Sequence, residues 1–381
     1  MRILVANIGS TSFKYRLLEM PDVTVLAQGR VERIGQAGGD CPDYDAAIAR
    51  CRSEIAGEGK PLGALSELSA VGFKAVHAGP LGGARVVDDE VLAAMEEFSF
   101  QAPAHNPPYI AAMRAFQRSV PEVPLVALFE TAFYDHVDEA VTTYAVPYEW
   151  KEELGIRRYG FHGASHRAAS EKAQDWLGRK DLRHISCHLG GSSSLAAIRN
   201  GVAVDCSFGM SPQSGLPHNN RTGDIDVFAV FQVMKQKGYG VDEVAEILAS
   251  QSGLAGISGG SGDVRDLSEA AAAGDVRARL ALDVFVDAIR RYIGAFLVRL
   301  GGVDVLTFSG GIGENSPEVR AAACEGLSTF GLEMDARRNA GVSGEASISS
   351  DSSPARILVI PADEERIVAR ATADVVAALK G

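Results

Sequence analysis

The feature that most constrains this 381-residue chain is a short pattern that occurs twice. One apolar, strand-like run leads into Asn7-Ile8-Gly9-Ser10-Thr11-Ser12, and another leads into His188-Leu189-Gly190-Gly191-Ser192-Ser193. Each Gly/Ser turn passes into a second strand-like run, Phe13 to Leu18 in the first copy and Ser194 to Ile198 in the second. The copies lie almost half the chain apart, which predicts a duplicated domain. Glycine lets backbone approach a ligand closely, and the N–H groups and hydroxyls of such a turn converge on an anion. Either copy alone reads equally as an ordinary hairpin. The matched pair points instead to two hairpins that cradle a chain of phosphates.

Around these turns, short β-rich runs alternate with helical patterns, which is an α/β arrangement. The runs are Val71 to His77, Leu125 to Phe129, His184 to His188, Val303 to Phe308 and Ile357 to Ile360. Leu267 to Leu300 has continuous helical spacing, and Asp363 to Lys380 predicts a closing helix. At ~150 residues per domain the length fits two to three domains. The 49 acidic against 37 basic residues leave a formal charge of −12, which argues against nucleic acid or anionic lipid as the main partner. Five scattered cysteines without a C-x-x-C pair fit reduced thiols in a cytoplasm. The apolar run Ile3 to Ala6 is too short for a secretory core, and no stretch approaches the roughly 18 apolar residues of a membrane span.

Other motifs carry competing readings. Ser309-Gly310-Gly311-Ile312-Gly313-Glu314-Asn315 lies between a strand and a helix expected to start near Pro317. It suits a nucleotide, and with Ser316 in the third glycine's place and Glu333 downstream it also nearly matches a dinucleotide fingerprint. That second reading, an NAD-dependent dehydrogenase, leaves both phosphate-type hairpins unexplained. Gly256-Ile257-Ser258-Gly259-Gly260 satisfies G-x-S-x-G, but no histidine follows it, His218 being the last, so Ser258 is read as a loop residue. His162 with His166, and His184 with His188, have metal-ligand spacing without a third ligand. Gly59-Lys60 is followed by Pro61, so a Walker A loop is absent. The remaining polar clusters stand mostly at strand ends: Lys74 and His77, His105-Asn106, Glu130, Arg221 with Asp224 and Asp226, and Asp363-Glu364-Glu365. They supply cations for a phosphoryl group and carboxylates for Mg²⁺.

Taken in order, the motifs resemble the acetate kinase family, within the acetate and sugar kinase, Hsc70 and actin superfamily. The resemblance runs from Asn7 to the closing helix. Its markers are Asn7-x-Gly9-Ser10-x-Ser12-x-Lys14, Pro103-x-His105-Asn106-Pro107, Thr131-Ala132-Phe133, Tyr159-Gly160-Phe161-His162-Gly163-x-Ser165-His166, Cys187-His188-Leu189-Gly190, Arg221-x-Gly223-Asp224-Ile225-Asp226, Gly311-Ile312-Gly313-Glu314-Asn315 and Ile360-Pro361-x-Asp363-Glu364-Glu365. It implies a duplicated actin-like (ribonuclease H-like) α/β kinase fold. Residues 1–131 and 365–381 would form the N-terminal domain, and 132–364 a C-terminal nucleotide-binding and dimerisation domain, with the nucleotide in the cleft. It further implies a homodimer and reversible ATP-dependent, Mg²⁺-assisted phosphorylation of a short-chain carboxylate to an acyl phosphate. His162 and Arg221 match the transition-state stabilisers, Glu130 stands at the position of an active-site Asp, and Asn7 and Glu364 match the magnesium positions. Lys14, His188, Leu189, Gly190, Gly191, Ser192, Asp263, Val264, Arg265, Gly311, Ile312, Gly313, Glu314 and Asn315 match nucleotide-binding segments. Lys74, Val76, Ala104, Phe161 and Pro212 match the acceptor pocket. A nucleotide-binding protein of the same fold without catalysis is the alternative.

The departures from the family cluster near the acceptor. Gly72-Phe73-Lys74-Ala75-Val76-His77 stands for Gly-His-Arg-x-Val-His, and a lysine cannot make the two parallel bonds of a guanidinium fork. Glu130 replaces Asp, and Ala104 replaces Leu, which implies a roomier pocket. The run Pro-Leu-Glu-Gly-Leu-x-Met-Gly-Thr-Arg is here Pro212-Gln213-Ser214-Gly215-Leu216-Pro217-His218-Asn219-Asn220-Arg221. Gly191 and Ser192 replace the usual Asn-Gly of the phosphate loop. Tolerated drift in an acetate kinase and an acceptor larger or more polar than acetate, such as propionate, both fit these changes.

Overall fold

The structure is a computed structural model that describes residues 1–9 and 11–380; Ser10 of the first repeat lies outside the described residues. Contacts divide the chain into two compact units. The first comprises residues 1–135, 163–168 and the segment from Asp363 onward; the second comprises 136–162 and 169–362. The sequence reading did not separate the short segment 163–168.

The first unit is built on a six-stranded sheet of β1 (Arg2–Ile8), β2 (Phe13–Glu19), β3 (Thr24–Val31), β4 (Ala70–Ala75), β5 (Ala84–Val86) and β6 (Leu125–Phe129). The second has β7 (Arg183–His188), β8 (Ser194–Arg199), β9 (Val202–Cys206), β10 (Val305–Ser309), β11 (Ala346–Ser347) and β12 (Arg356–Val359). The strand orders are β3-β2-β1-β4-β6-β5 and β11-β12-β10-β7-β8-β9. Each sheet is an antiparallel three-strand meander, extended by two parallel strands and closed by a short antiparallel edge. The duplication read from two hairpins therefore covers whole sheets.

Central strands such as β6 and β10 are buried at every position, so they read as unbroken apolar runs rather than alternating ones. The helix Glu364–Lys380 covers the first sheet, packing Ile367, Val368 and Ala369 with Ile3, Val5 and Leu128. A β-carbon on Gly72 of β4 would stand 2.3 Å from Thr372 Oγ1, so glycine there permits the close approach of this helix. The helix Val276–Leu300 turns Ala278, Ala281, Leu282, Phe285, Ile289, Ile293 and Phe296 into the core of the second sheet. This is the three-and-four spacing of an apolar stripe.

Two expectations are corrected. The run Leu267 to Leu300 is not one helix but parts of two, Val264–Ala272 and Val276–Leu300. Gly274, at φ 99°, turns the chain between them, and Asp275 caps the second by accepting from the N–H groups of Arg277 and Ala278. The glycine cluster after β10 forms the short helix Gly310–Asn315, and the expected next helix starts at Pro317, running Pro317–Cys324 with Ser316 as its cap. Ser258, read as a loop residue, ends the short helix Gly253–Ser258, and its hydroxyl donates to the carbonyls of Ala255 and Ser261. No described helix is long and apolar enough to cross a membrane.

Candidate active site

Within the first unit, Asn7 near the end of β1, Lys74 in β4, Glu130 just after β6 and Glu364 at the start of the closing helix carry the expected polar groups. Parallel pairing of β1, β4 and β6 brings the first three to one end of the sheet, where α/β proteins assemble sites. Lys74 Nζ lies 2.7 Å from Glu364 Oε2 and 3.9 Å from Glu130 Oε1. Burial alone would lower the Lys74 ammonium, but the charges of Glu364 and Glu130 outweigh it and hold it above the ordinary lysine range. Tyr109 ties the cluster to the first hairpin: its hydroxyl accepts from Ile8 N at 3.1 Å and faces Asn7 Oδ1 at 3.4 Å. Burial raises its phenol, so it remains a donor. Lys14, exposed on β2, pairs directly with Asn7 across the hairpin. Val76 is buried at the end of this strand run, whereas Ala104 is exposed.

Within the second unit, His162 adopts a left-handed backbone, φ 58°, uncommon for a side chain of its size. Its Nδ1 lies 2.8 Å from Ser194 Oγ, at the start of β8. The ring packs against His188, 4.3 Å between centroids, and Phe208, 5.3 Å. Phe161 is buried edge-on against the same Phe208. Arg221 donates from Nη1 to the carbonyl of Pro212 at 3.0 Å and makes no ion pair among the described residues. Burial pulls its guanidinium down to about 10. Between these parts stands His218, whose Nδ1 accepts from Ser193 N at 3.0 Å, so that the proton sits on Nε2, 3.3 Å from the carbonyl of Ser214. Burial first, and Arg221 second, depress it to about 3. An imidazole that burial keeps neutral near pH 7 thus links the phosphate-type turn to the loop that leads to Arg221.

The segments expected to bind nucleotide meet around a cavity of about 400 Å³, formed by Gly190 and Gly191, by Asp263, Val264 and Arg265, and by Gly311, Ile312, Asn315 and Ser316, with Asn219. That volume lies in the range of small-ligand sites. The carbonyl of Leu189 accepts from Ile312 N at 2.9 Å and Gly313 N at 3.1 Å, which locks two of the segments together. Gly310 has φ 79°, and a β-carbon there would stand 2.6 Å from the Leu189 carbonyl oxygen. Ser192 lies in the turn beside this pair, partly buried. Asp263 caps its helix through Arg265 N at 2.9 Å and pairs with the Arg265 guanidinium, which is otherwise exposed. A larger cavity of about 690 Å³, bounded in part by Arg291 and Tyr292, includes Asp224 but none of the other residues expected at the site.

Several expected donors have structural partners. Glu314 Oε1 accepts from Gly310 N and Ala362 N, so its carboxylate joins the glycine helix to the segment before Glu364. Asp224 accepts from Gly215 N and the Tyr292 hydroxyl, and Asp226 caps the helix Val227–Lys237, so both carboxylates already have partners within the protein. Tyr109, Ser194, Phe208, His218, Asn219 and Arg320 were not singled out from sequence. Only Asn219 and His218 carried a signal, as departures from the family run before Arg221.

Residues 2–370 match a family model described as the Acetokinase family. Among curated proteins, an acetate kinase of Shouchella clausii is 40% identical over 389 residues, spanning 97% of this chain and 98% of that one. Among solved structures, an acetate kinase of Porphyromonas gingivalis superposes with a TM-score of 0.88 at 36% identity, covering 98% of this chain and 99% of that chain. A propionate kinase of Francisella tularensis gives 0.89 at 31% identity, again covering 98% and 99%.

Proposed function

The chain belongs to the acetokinase family, and from that premise we propose that it transfers the γ-phosphoryl group of ATP reversibly to the carboxylate of a short-chain acid. One carboxylate oxygen forms the new P–O bond as the bond to the bridging oxygen of ADP breaks, giving an acyl phosphate and ADP. The nucleophile is already ionised, so no base is required, and catalysis rests on alignment and charge neutralisation. The observation that carries this reading is Arg221, a half-buried guanidinium with no carboxylate to neutralise it among the described residues, held by the Pro212 carbonyl in the same unit as His162. Such a cation suits a transferring phosphoryl group, to which His162, oriented by Ser194, offers its other ring nitrogen.

Asn7 and Glu364 offer a carboxamide and a carboxylate oxygen, the hard donor set that Mg²⁺ takes while keeping most of its waters. Mg²⁺ held there would neutralise charge on the phosphate chain. Lys74 already engages one Glu364 oxygen, and its ammonium is also the cation that fits the acceptor carboxylate. Val76 is a buried apolar residue of the first unit and Phe161 of the second, and each matches an acceptor-pocket position of the family. Ala104, where the family has Leu, favours an acceptor with room beyond a methyl group, and the propionate kinase among the structural relatives fits that reading. The NAD-dependent dehydrogenase reading is set aside by the family. The exposed apolar face of Val227–Lys237, with Phe228 at 75% and Phe231 at 54% exposure, supports a homodimer. A cytoplasmic enzyme fits the reduced, buried cysteines.

The test is ADP formation from Mg-ATP with acetate, propionate, butyrate, glycolate and lactate, with acyl phosphate trapped by hydroxylamine. Acetate giving the highest kcat/KM makes the changes at Lys74, Ala104 and Glu130 tolerated drift. Another acid winning clearly makes them determinants of specificity. No reaction with any acid, alongside normal ATP binding, sinks the kinase reading in favour of a nucleotide-binding protein.

A further inference from the structure

Two departures from the family motifs, distant in sequence, adjoin one another in the fold. Members of the family carry Asn-Gly where this chain has Gly191-Ser192, and Gly where this chain has Asn219. Asn219 N donates to the carbonyl of Gly191 at 3.1 Å, and Asn219 O accepts from Ala255 N at 2.8 Å, so the backbone of residue 219 is fixed against the phosphate-type turn. A β-carbon built on Gly191 would stand 3.5 Å from Asn219 Nδ2 and 3.8 Å from Asn219 Cγ. The carboxamide therefore lies where a side chain from residue 191 would extend. It borders the 400 Å³ cavity together with Gly190, Gly191 and Gly311. Its Oδ1 is buried with no hydrogen-bond partner among the described residues. An ionised phosphate offers no donor to Oδ1, so the carboxamide meets an anion through Nδ2, the atom beside residue 191.

We propose that Asn219 is a nucleotide-binding residue of this chain, an asparagine moved from position 191 to position 219, whose Nδ2 donates to a phosphate oxygen of the bound nucleotide. The inference rests on the kinase reading above and adds a residue that the motif comparison did not assign to the nucleotide. The exchange keeps one carboxamide at one place while the chain position that supplies it changes. Gly191 follows from this arrangement, because a second side chain there would meet the first.

The experiment compares the wild type with Asn219→Gly, Gly191→Asn and the double variant Gly191→Asn/Asn219→Gly. It uses steady-state kinetics in ATP and in acetate, and calorimetric binding of ADP and of adenosine. Loss of a hydrogen bond to a charged group should raise KM for ATP and weaken ADP binding roughly 10- to 100-fold in Asn219→Gly. KM for acetate and the binding of adenosine should stay near wild type. The double variant, with its carboxamide supplied from residue 191, should recover to within about threefold, whereas Gly191→Asn alone should be impaired. Unchanged ADP binding in Asn219→Gly, a double variant no better than Asn219→Gly, or an equal loss for adenosine each overturns the proposal. A wild type that neither binds ADP nor forms acyl phosphate overturns the kinase reading itself, a separate result from the loss of this contact.

Discussion

Replacing Arg320 with Met should destabilise the second unit more than any other single change near the nucleotide segments. Arg320 is 1% exposed in the helix Pro317–Cys324 and has no carboxylate partner among the described residues. Its Nη1 donates to the carbonyls of Gly313 and Glu314, at 2.8 and 2.9 Å. Its Nε and Nη2 donate to Asn339 Oδ1 and Asn339 O, both at 2.8 Å. It thus satisfies the carbonyls that end the glycine helix Gly310–Asn315 and ties that helix to residue 339. Methionine fills much of the volume but donates nothing. Charge-assisted bonds contribute about 1.5–3 kcal/mol each, and relief of the buried cation's desolvation offsets part of the loss, which leaves a cost on the order of 3–5 kcal/mol. Both tryptophans, Trp150 and Trp176, belong to the same unit as Arg320, so their fluorescence reports its unfolding. With a urea m-value of about 2–3 kcal/mol/M, the midpoint should fall by roughly 1–2.5 M. Arg320→Lys keeps a single donor head and should lose about half as much, with a raised KM for ATP and little change in KM for the acceptor. A Met variant whose midpoint stays within about 0.3 M of wild type would refute the argument that this cation organises the nucleotide segments.

Acid should destabilise the second unit through His184 and His218, both fully buried and depressed to about 3, by burial in His184 and by burial and then Arg221 in His218. Their folded-state values lie below the unfolded value of about 6.5, so the stability they contribute is complete above that pH and is lost as pH falls toward about 3, at about 1.4 kcal/mol per pH unit for each. His184→Leu should make the decline in urea midpoint between pH 6 and 4 shallower by one proton's worth, and an unaltered slope would contradict the assignment. Ala104→Leu should lower the propionate-to-acetate ratio of kcat/KM by roughly tenfold, given about 1–3 kcal/mol per methylene; an unchanged ratio removes Ala104 from the acceptor pocket. Lys74→Met should cut kcat/KM for the acceptor by about 10- to 100-fold while leaving ADP affinity near wild type, and an equal loss of both would mean that Lys74 serves the fold and not the acceptor. Phe228→Glu should shift sedimentation from dimer toward monomer, and a wild-type profile would move the proposed dimer surface away from the helix Val227–Lys237.

What the sequence alone determined was everything carried by neighbouring residues. Leu125 to Phe129 reads as a strand because a buried parallel strand is apolar at every position, and the structure places β6 on those same residues. The two Gly/Ser turns announce the duplication because each hairpin is local, and the motifs around His162, Arg221 and Gly311 identify the family because each is a short contiguous run. Local signals failed where composition is continuous: the alanine-rich stretch through residue 274 hides a turn that one left-handed glycine makes. Only the tertiary structure decided the pairings. Lys74 on Glu364, the Leu189 carbonyl under Ile312 and Gly313, Arg320 on Asn339 and the carboxamide of Asn219 over Gly191 each join residues that sequence spacing does not relate. A donor's type is written in the chain, but which acceptor it meets depends on sheet register and helix placement, and these are set by burial of apolar surface across the whole unit.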